Sequence, residues 1–160
     1  MNPPTIVFKA HNSDHKANMP YNSVKHCAYI KGLLEAAPEG DVEIEIPHTD
    51  HVLINFMVGF LEQHADDEEM TPDWEKQKPR PLTEWDKENI TPITGIALVN
   101  LLKASNFIGC QLMLNVIASH VGGILSNKNE AEVQEYFGVT RVFSPEEEEQ
   151  VKAKYPVPFY

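Results

Sequence analysis

The chain has 160 residues, 42% of them hydrophobic, and its 13 Lys and Arg residues against 24 Asp and Glu residues give a formal net charge of −11. A chain of this length suits one domain, with a core that requires neither a metal nor a disulfide. The acidic balance disfavours nucleic acid and anionic membranes as partners, since both bind clustered Lys and Arg.

The chain opens with a strand pattern. Residues 5–10 combine β-branched and aromatic side chains in a short run, which predicts a strand. The stretch that follows, up to Tyr21, is turn-like and its secondary structure stays open. A helix is then predicted to begin at a capping Ser23 and to end before Pro38.

A second strand and a core helix follow. Residues 42–46 alternate apolar and acidic side chains, which predicts a half-buried strand ending at Pro47. Thr49 or Asp50 is placed to cap the next helix, which is predicted to run to about His64. Its apolar residues recur every three to four positions, so we expect it in the core.

The composition changes between Ala65 and Pro92, where acidic residues and prolines replace aliphatic ones. This composition predicts a flexible acidic insertion within the domain, over about residues 66–84. Trp74 and Trp85 are the only bulky side chains that could anchor it.

Helical spacing returns over residues 93–107, and a second apolar helix is predicted from Gly109 to Leu125. The second helix carries more apolar surface than one interface uses. We therefore expect it to be buried on more than one side, or to be covered by a partner.

Two short helices are predicted near the end of the chain. Asn129 precedes Glu132 and Ser144 precedes Glu147 by three positions, which is the capping-box spacing, and Pro145 suits the first helical position. Their apolar residues are too few for a separate core. They form an interaction surface or fold back onto the domain, and the pattern leaves both alternatives open.

No motif of the common hydrolases, nucleotide-binding folds or zinc proteases occurs in the sequence. His11 with His15, or His48 with His51, could begin a metal site, but third and fourth ligands are missing. We expect surface histidines, and we expect neither a metal nor a cofactor.

Cys27 and Cys110 are the two cysteines. The N-terminus lacks a secretory signal and no apolar stretch reaches bilayer length, so a cytoplasmic and nuclear location with reduced cysteines is expected. His26 beside Cys27 suggests a nucleophile and a base, but adjacent helical residues point apart. We therefore expect a buried structural cysteine and no catalytic residue.

The order and spacing of several segments resemble the S-phase kinase-associated adaptors of SCF (Skp, cullin, F-box) ubiquitin ligases. The segments that carry this resemblance are Ile46-Pro47, residues 62–67, Trp85-Asp86, residues 101–107 and residues 143–151. The resemblance implies an α/β fold of the BTB/POZ type, with a small three-stranded sheet and packed helices. It implies a core over residues 1–125 and two extra helices over 126–160.

The resemblance also implies a non-catalytic adaptor that links a cullin to F-box substrate receptors. Asn106 and Phe107 match the cullin-facing Asn-Tyr pair, with one hydroxyl lost. The positions that match the F-box-facing surface are Val116, Val121, Ile124, Leu125, Val133, Tyr136, Phe137 and Val151. The alternative is a structural subunit of a cullin-free F-box complex, such as a kinetochore assembly. A weak homodimer of the free chain also stays open.

The chain departs from the family pattern at its end. Val157 and Pro158 replace the Trp-Cys pair that packs on the F-box side, and Pro156 is expected to end the last helix early. Glu130 replaces a proline that some protist members hydroxylate and glycosylate, so that modification is not expected here.

Overall fold

A small mixed sheet lies at the start of the protein. A computed structural model describes residues 3–36, 40–70, 81–138 and 144–154. Within these residues the strands are β1 (Ile6–Ala10), β2 (Lys16–Met19) and β3 (Val42–Ile46), in the order β2-β1-β3. Strand β1 runs antiparallel to β2 and parallel to β3.

The register of the sheet separates a buried face from a solvent face. Phe8 stands opposite Ala17 on one side and Ile44 on the other, and alternate residues of β1 are buried. On the solvent face Lys9 lies 3.5 Å from Glu45. The period-two alternation of apolar and charged residues therefore decides which face meets the core.

Helices cover the buried face and complete the domain. A 3₁₀ helix spans Tyr21–His26, and the α-helices are α1 (Ala28–Ala36), α2 (His51–Gln63), α3 (Glu84–Ile90), α4 (Ile96–Ile108), α5 (Gln111–Leu125), α6 (Glu130–Tyr136) and α7 (Pro145–Lys154). Helix α2 packs on β1 and β2, and α4 packs on α5. The side chain of Asp50 caps α2 by accepting from the N–H of Leu53 at 2.9 Å.

The core is built mainly from the sheet, α2, α4 and the first half of α5, and α1 and α3 each add an isoleucine. Its largest fully buried side chains are Phe8, Phe60, Ile6, Ile30, Ile46, Ile54, Met57, Leu61, Ile90, Leu98, Leu101 and Ile108. The second half of α5 carries no fully buried residue. One helix thus serves the core at its start and a surface at its end.

Most predicted elements are confirmed. The predicted strands over residues 5–10 and 42–46, the core helix that follows, and the helices begun by Asn129 and Ser144 all form. The α/β class and the small three-stranded sheet that the resemblance implied are confirmed as well. The helix predicted from residue 93 begins later, at Ile96, because Gly95 stands before it with a positive φ of 60°.

The prediction for the segment around Ser23 is wrong. Ser23 lies inside the 3₁₀ helix, and its buried hydroxyl donates to the carbonyl of Leu61 instead of capping a helix. Helix α1 begins only at Ala28. Strand β2 lies in the stretch before Tyr21, for which the sequence predicted no secondary structure. Its residues are largely polar because one face of the strand meets solvent, so the pattern did not indicate a strand.

Part of the range that we assigned to an acidic loop is helical. Thr83 and Asp86 form a reciprocal capping box at the start of α3. Trp85 lies against α2, where a Cβ on Gly59 would come within 2.8 Å of its ring. Trp85 therefore anchors this segment as predicted, whereas Trp74 lies outside the described residues.

Candidate protein-binding surfaces

Two aromatic rings form an exposed patch where α1 meets α4. The rings of Tyr29 and Phe107 lie 5.1 Å apart at a tilt of 48°. Tyr29 is 43% exposed, Phe107 is half-buried and Asn106 beside it is exposed. We call Tyr29, Asn106 and Phe107 the aromatic patch. It places both sequence-predicted cullin-facing residues at the surface.

A close backbone approach holds the patch together. The N–H of Ala28 donates to the carbonyl of Gly109 at 3.3 Å. Gly109 ends α4 with a φ of 72°, and a Cβ there would lie 3.1 Å from both the Cβ of Ala28 and the nitrogen of Tyr29. Glycine is required at this position by the backbone conformation and by the contact.

Tyr29 was not among the residues predicted from the sequence for this patch. Cys27, Ile30 and Leu34 mark the inward side of α1, so the helical period already placed Tyr29 on another side. The sequence therefore indicated that Tyr29 is an aromatic residue outside the buried face of the helix. It did not indicate that Tyr29 lies next to Phe107, which is 78 positions away.

The second surface lies on the end of α5 and on α6. We call it the C-terminal surface, and its half-buried side chains are Val121, Ile124, Leu125, Val133, Tyr136 and Phe137. Val121, Ile124 and Tyr136 also pack against the core. Leu125, Val133 and Phe137 are not among the residues that pack there, so they are the members most available to a partner.

Helix α6 is attached to the domain through Tyr136. The carbonyl of Tyr136 lies where a Cβ on Gly95 would approach within 2.9 Å, and the ring packs against the core. Phe137 meets the Tyr136 ring edge-on at 5.0 Å, and the ammonium of Lys128 lies 5.3 Å from the centre of that ring. Tyr136 thus serves the fold, whereas Phe137 projects from it.

The C-terminal surface also remains uncharged on the α5 side. His120 lies on the same half of α5, and burial lowers its pKa below the ordinary value of 6.5. The imidazole is therefore neutral at pH 7. A neutral ring beside apolar side chains suits a surface that a partner covers.

Val116, one of the predicted F-box-facing residues, has other surroundings. Val116 is only 2% exposed and belongs to the core, where it borders a cleft next to Leu112. Val151 lies on α7, but its side chain falls outside the described residues, as do Pro156, Val157 and Pro158. The direct contribution of Val116 to a surface is limited to the cleft.

A buried polar cluster joins α2 to α3. One ring nitrogen of His64 lies 2.6 Å from a carboxylate oxygen of Asp67, and the other lies 2.8 Å from one of Asp86. The ring packs on Phe60, with centroids 4.2 Å apart. Two carboxylates on opposite sides of one imidazole fasten the start of the insertion and α3 to the core. This cluster was not predicted from the sequence, because Asp86 lies 22 positions from His64.

The candidate metal and catalytic residues are not assembled into a site. The rings of His11 and His48 lie 6.4 Å apart and those of His15 and His51 lie 6.1 Å apart. Among the residues that the structure describes, no group of three or more His, Cys, Asp or Glu side chains is arranged to hold a metal. His26 contacts the carbonyl of His64 at 2.9 Å.

Across residues 3–36, 40–70, 81–138 and 144–154, no helix has both the length and the apolar character needed to cross a bilayer.

Comparison with known proteins identifies relatives of the chain. Residues 111–157 match the family model described as Skp1 family, dimerisation domain. The chain is 24% identical over 125 residues to the E3 ubiquitin ligase complex SCF subunit sconC of Talaromyces marneffei, covering 77% of this chain and 78% of that protein. The protein of the same name from Aspergillus fumigatus is 26% identical over the same length and coverage.

A relative with a different name comes from Schizosaccharomyces pombe. Its suppressor of kinetochore protein 1 is 25% identical over 127 residues, covering 77% of this chain and 78% of that protein. The family match begins at α5 and continues into the terminal helices, where the C-terminal surface lies. The resemblance drawn from the sequence is confirmed by these matches: the chain is similar to the Skp1 family model over residues 111–157 and to named SCF subunits over 77% of its length.

Proposed function

We propose that the chain is a non-catalytic adaptor of an SCF-type E3 ubiquitin ligase, which links a cullin to F-box substrate receptors. The observation that carries this proposal is the C-terminal surface. It displays apolar side chains beyond the core, and it lies in the segment that matches the family. The relatives named as SCF subunits support the same role.

The C-terminal surface binds the F-box protein in this proposal. Leu125, Val133 and Phe137 are half-buried in the free chain, so a partner helix removes further apolar area from water. Such burial contributes roughly 25 cal/mol of favourable binding free energy per Å² of apolar area removed from water. The neutral His120 adds no charge that a partner must desolvate.

The aromatic patch binds the cullin. Asn106 supplies an amide, and the exposed ring of Tyr29 and the half-buried ring of Phe107 supply apolar area at a mutual tilt of 48°. Interfaces draw most of their affinity from a few such aromatic residues. Phe107 carries no hydroxyl, so the phenol oxygen of this patch comes from Tyr29.

The adaptor acts through position and not through bond chemistry. Holding substrate receptor and cullin on two surfaces raises the effective concentration of the substrate near the ubiquitin-carrying enzyme. This role requires neither a cofactor nor a nucleophile. We propose that the chain acts in the cytoplasm and the nucleus, which a fluorescent fusion at native expression level tests.

Two matched variants test the proposal in the tagged chain purified from its own cells. Phe107→Lys should weaken cullin capture by about 3 kcal/mol, on the order of 100-fold, and leave F-box proteins bound. Phe137→Lys should do the reverse, with mass spectrometry identifying the captured chains. Equal loss of both partners from either variant would refute the separation of the two surfaces.

A structural subunit of a cullin-free F-box complex is the second candidate. The relative named as a suppressor of kinetochore protein favours it. Such a subunit needs the C-terminal surface but not the aromatic patch. Purification that returns one F-box protein without a cullin would support this alternative, and Phe107→Lys would then change no partner.

A further inference from the structure

The imidazole of His64 lies between two carboxylates that approach it from opposite sides. Its Nδ1 atom is 2.6 Å from Oδ2 of Asp67, and its Nε2 atom is 2.8 Å from Oδ1 of Asp86. The side chains of His64 and Asp86 are 6% and 1% exposed, so this pair is closed to bulk water. Both ring nitrogens are therefore held at hydrogen-bond distance from a carboxylate oxygen.

These two distances bear on the number of protons that the ring carries. A neutral imidazole has one N–H donor and one nitrogen lone pair, whereas an ionised carboxylate only accepts. A neutral ring would therefore turn a lone pair toward one of the two carboxylate oxygens, at 2.6 or 2.8 Å. A ring that is protonated at both nitrogens donates to Asp67 and to Asp86, and both contacts are then charge-assisted hydrogen bonds.

The position of His64 at the end of α2 favours the same charge. His64 is the C-cap residue of α2, and its N–H donates to the carbonyl of Phe60. Its own carbonyl accepts from the N–H of Asp67 at 3.1 Å and from Nε2 of His26 at 2.9 Å. A helix C-terminus carries partial negative charge, which stabilises a cation placed there. The helix end and the two carboxylates thus oppose the burial of the ring, which by itself favours the neutral form.

The elements packed around the ring contribute few charges. From α2 the ring of Phe60 packs on it, with centroids 4.2 Å apart. From the 3₁₀ helix, His26 contacts the carbonyl of His64, and it is neutral at pH 7 because burial lowers its pKa. The uncharged residues that border the cleft beside the cluster are Pro81, Thr83, Leu112 and Val116. Within the described part of the chain, the charged groups at hydrogen-bond distance from the ring are Asp67 and Asp86.

We propose that His64, Asp67 and Asp86 form a proton-dependent switch, in which a doubly protonated His64 holds α3 on the core and loss of one ring proton releases it. Without that proton a nitrogen lone pair faces a carboxylate oxygen, and the contact becomes repulsive. Asp86 cannot turn away alone, because it forms the capping box of α3 with Thr83. The helix therefore moves with it.

The direction of the pH dependence follows from this proton. The side chain of Asp67 is 32% exposed, which gives the Nδ1 proton of His64 a path to solvent. The docked form of α3 holds one proton more than the released form, so a rise in pH favours release. The proposal does not depend on the adaptor function, because it concerns only contacts within the chain.

Nitrogen-15 NMR of the histidine rings in the purified full chain at pH 7 tests the charge. His64 is assigned through bonds from its backbone, and we expect both of its ring nitrogens to be protonated. His26 and His120 are the controls in the same spectrum, since burial lowers the pKa of both and each should show one protonated nitrogen. A His64 ring with one protonated nitrogen would overturn the proposal, and this includes the case in which a carboxyl group holds the second proton.

The fluorescence of Trp85 and the hydrogen exchange of α3 amides test the release. Trp74→Phe leaves Trp85 as the one tryptophan of the chain, and its ring lies 5.8 Å from that of Phe56 on α2. The pH is raised until the NMR signals of His64 become those of a neutral ring. At that pH the Trp85 emission should shift to the red and exchange of α3 amides should rise by about tenfold or more, while α4 and α5 keep their protection.

His64→Gln is the matched control, because its amide has no proton to lose over this pH range. It should show no such step in Trp85 emission. The proposal is overturned if α3 stays docked after the His64 ring becomes neutral, if α4 and α5 lose protection in the same step, or if His64→Gln shows the same step. The chain with His64 intact gives the first two readouts whether or not the variant folds.

Discussion

Replacing Asp86 with alanine tests the polar cluster that fastens α3 to the core. Asp86 is 1% exposed and accepts from His64 at 2.8 Å and from the backbone N–H of Thr83 at 3.1 Å. Asp86→Ala removes both acceptors. It leaves a buried nitrogen of His64 without its partner, whereas the exposed Thr83 can turn to water.

The expected loss follows from these two contacts. An unsatisfied buried polar group costs about 1–3 kcal/mol, and loss of half of the capping box adds about 0.5–1 kcal/mol. We expect Asp86→Ala to lower the free energy of unfolding by about 3 kcal/mol and the melting temperature by about 6–12 °C. Asp86→Asn keeps an acceptor and most of the volume, so it should lose less.

Urea denaturation provides the assay, and Glu84→Ala is the control. Glu84 lies on the same helix, carries the same charge and has a side chain that is 88% exposed. The control should change the unfolding free energy by less than about 0.5 kcal/mol. If Asp86→Ala falls within that margin of the control, the cluster does not hold α3.

Two further predictions concern the buried His26 and the contact between Gly95 and α6. Burial lowers the pKa of His26 below its ordinary value of 6.5, so unfolding takes up a proton and stability should fall as the pH drops below that value. His26→Gln should reduce this fall, as measured by urea midpoints between about pH 5 and pH 8, and parallel curves would contradict it. Gly95→Ala places a Cβ 2.9 Å from the Tyr136 carbonyl at a φ of 60°, so it should displace α6 and weaken F-box capture. Calorimetry measures the loss of stability, and the capture assay measures the loss of F-box binding. Gly123→Ala is the control, because Gly123 is exposed and has open space around it. Unchanged F-box capture by Gly95→Ala would show that α6 tolerates the shift.

Elements with a clear period were predictable from the residues alone. The alternation in β3 and the apolar spacing in α2 each repeat over a whole element, so their buried faces follow without knowledge of the neighbours. Helix α3 was not predicted from an apolar period in this way. It has seven residues, and its stability comes from Trp85 on α2 and from Asp86 on His64.

The residues of the candidate surfaces also differ in whether the sequence could predict them. Asn106 and Phe107 were found by resemblance, because their motif is contiguous in the chain. Tyr29 joins them only through the approach of Ala28 to Gly109, which depends on packing between α1 and α4. The burial of Val116 likewise depends on how deeply α5 enters the core.

The sequence by itself determined the charge, the periodic strands and helices, the helix caps and the resemblance to the Skp adaptors of SCF ubiquitin ligases. Each of these rests on signals between residues a few positions apart or on a contiguous motif. The tertiary structure decided the contact of Tyr29 with Phe107 and the enclosure of His64 by two carboxylates. Most of these partners are distant along the chain, and only the packing of helices on one core brings them within bonding distance.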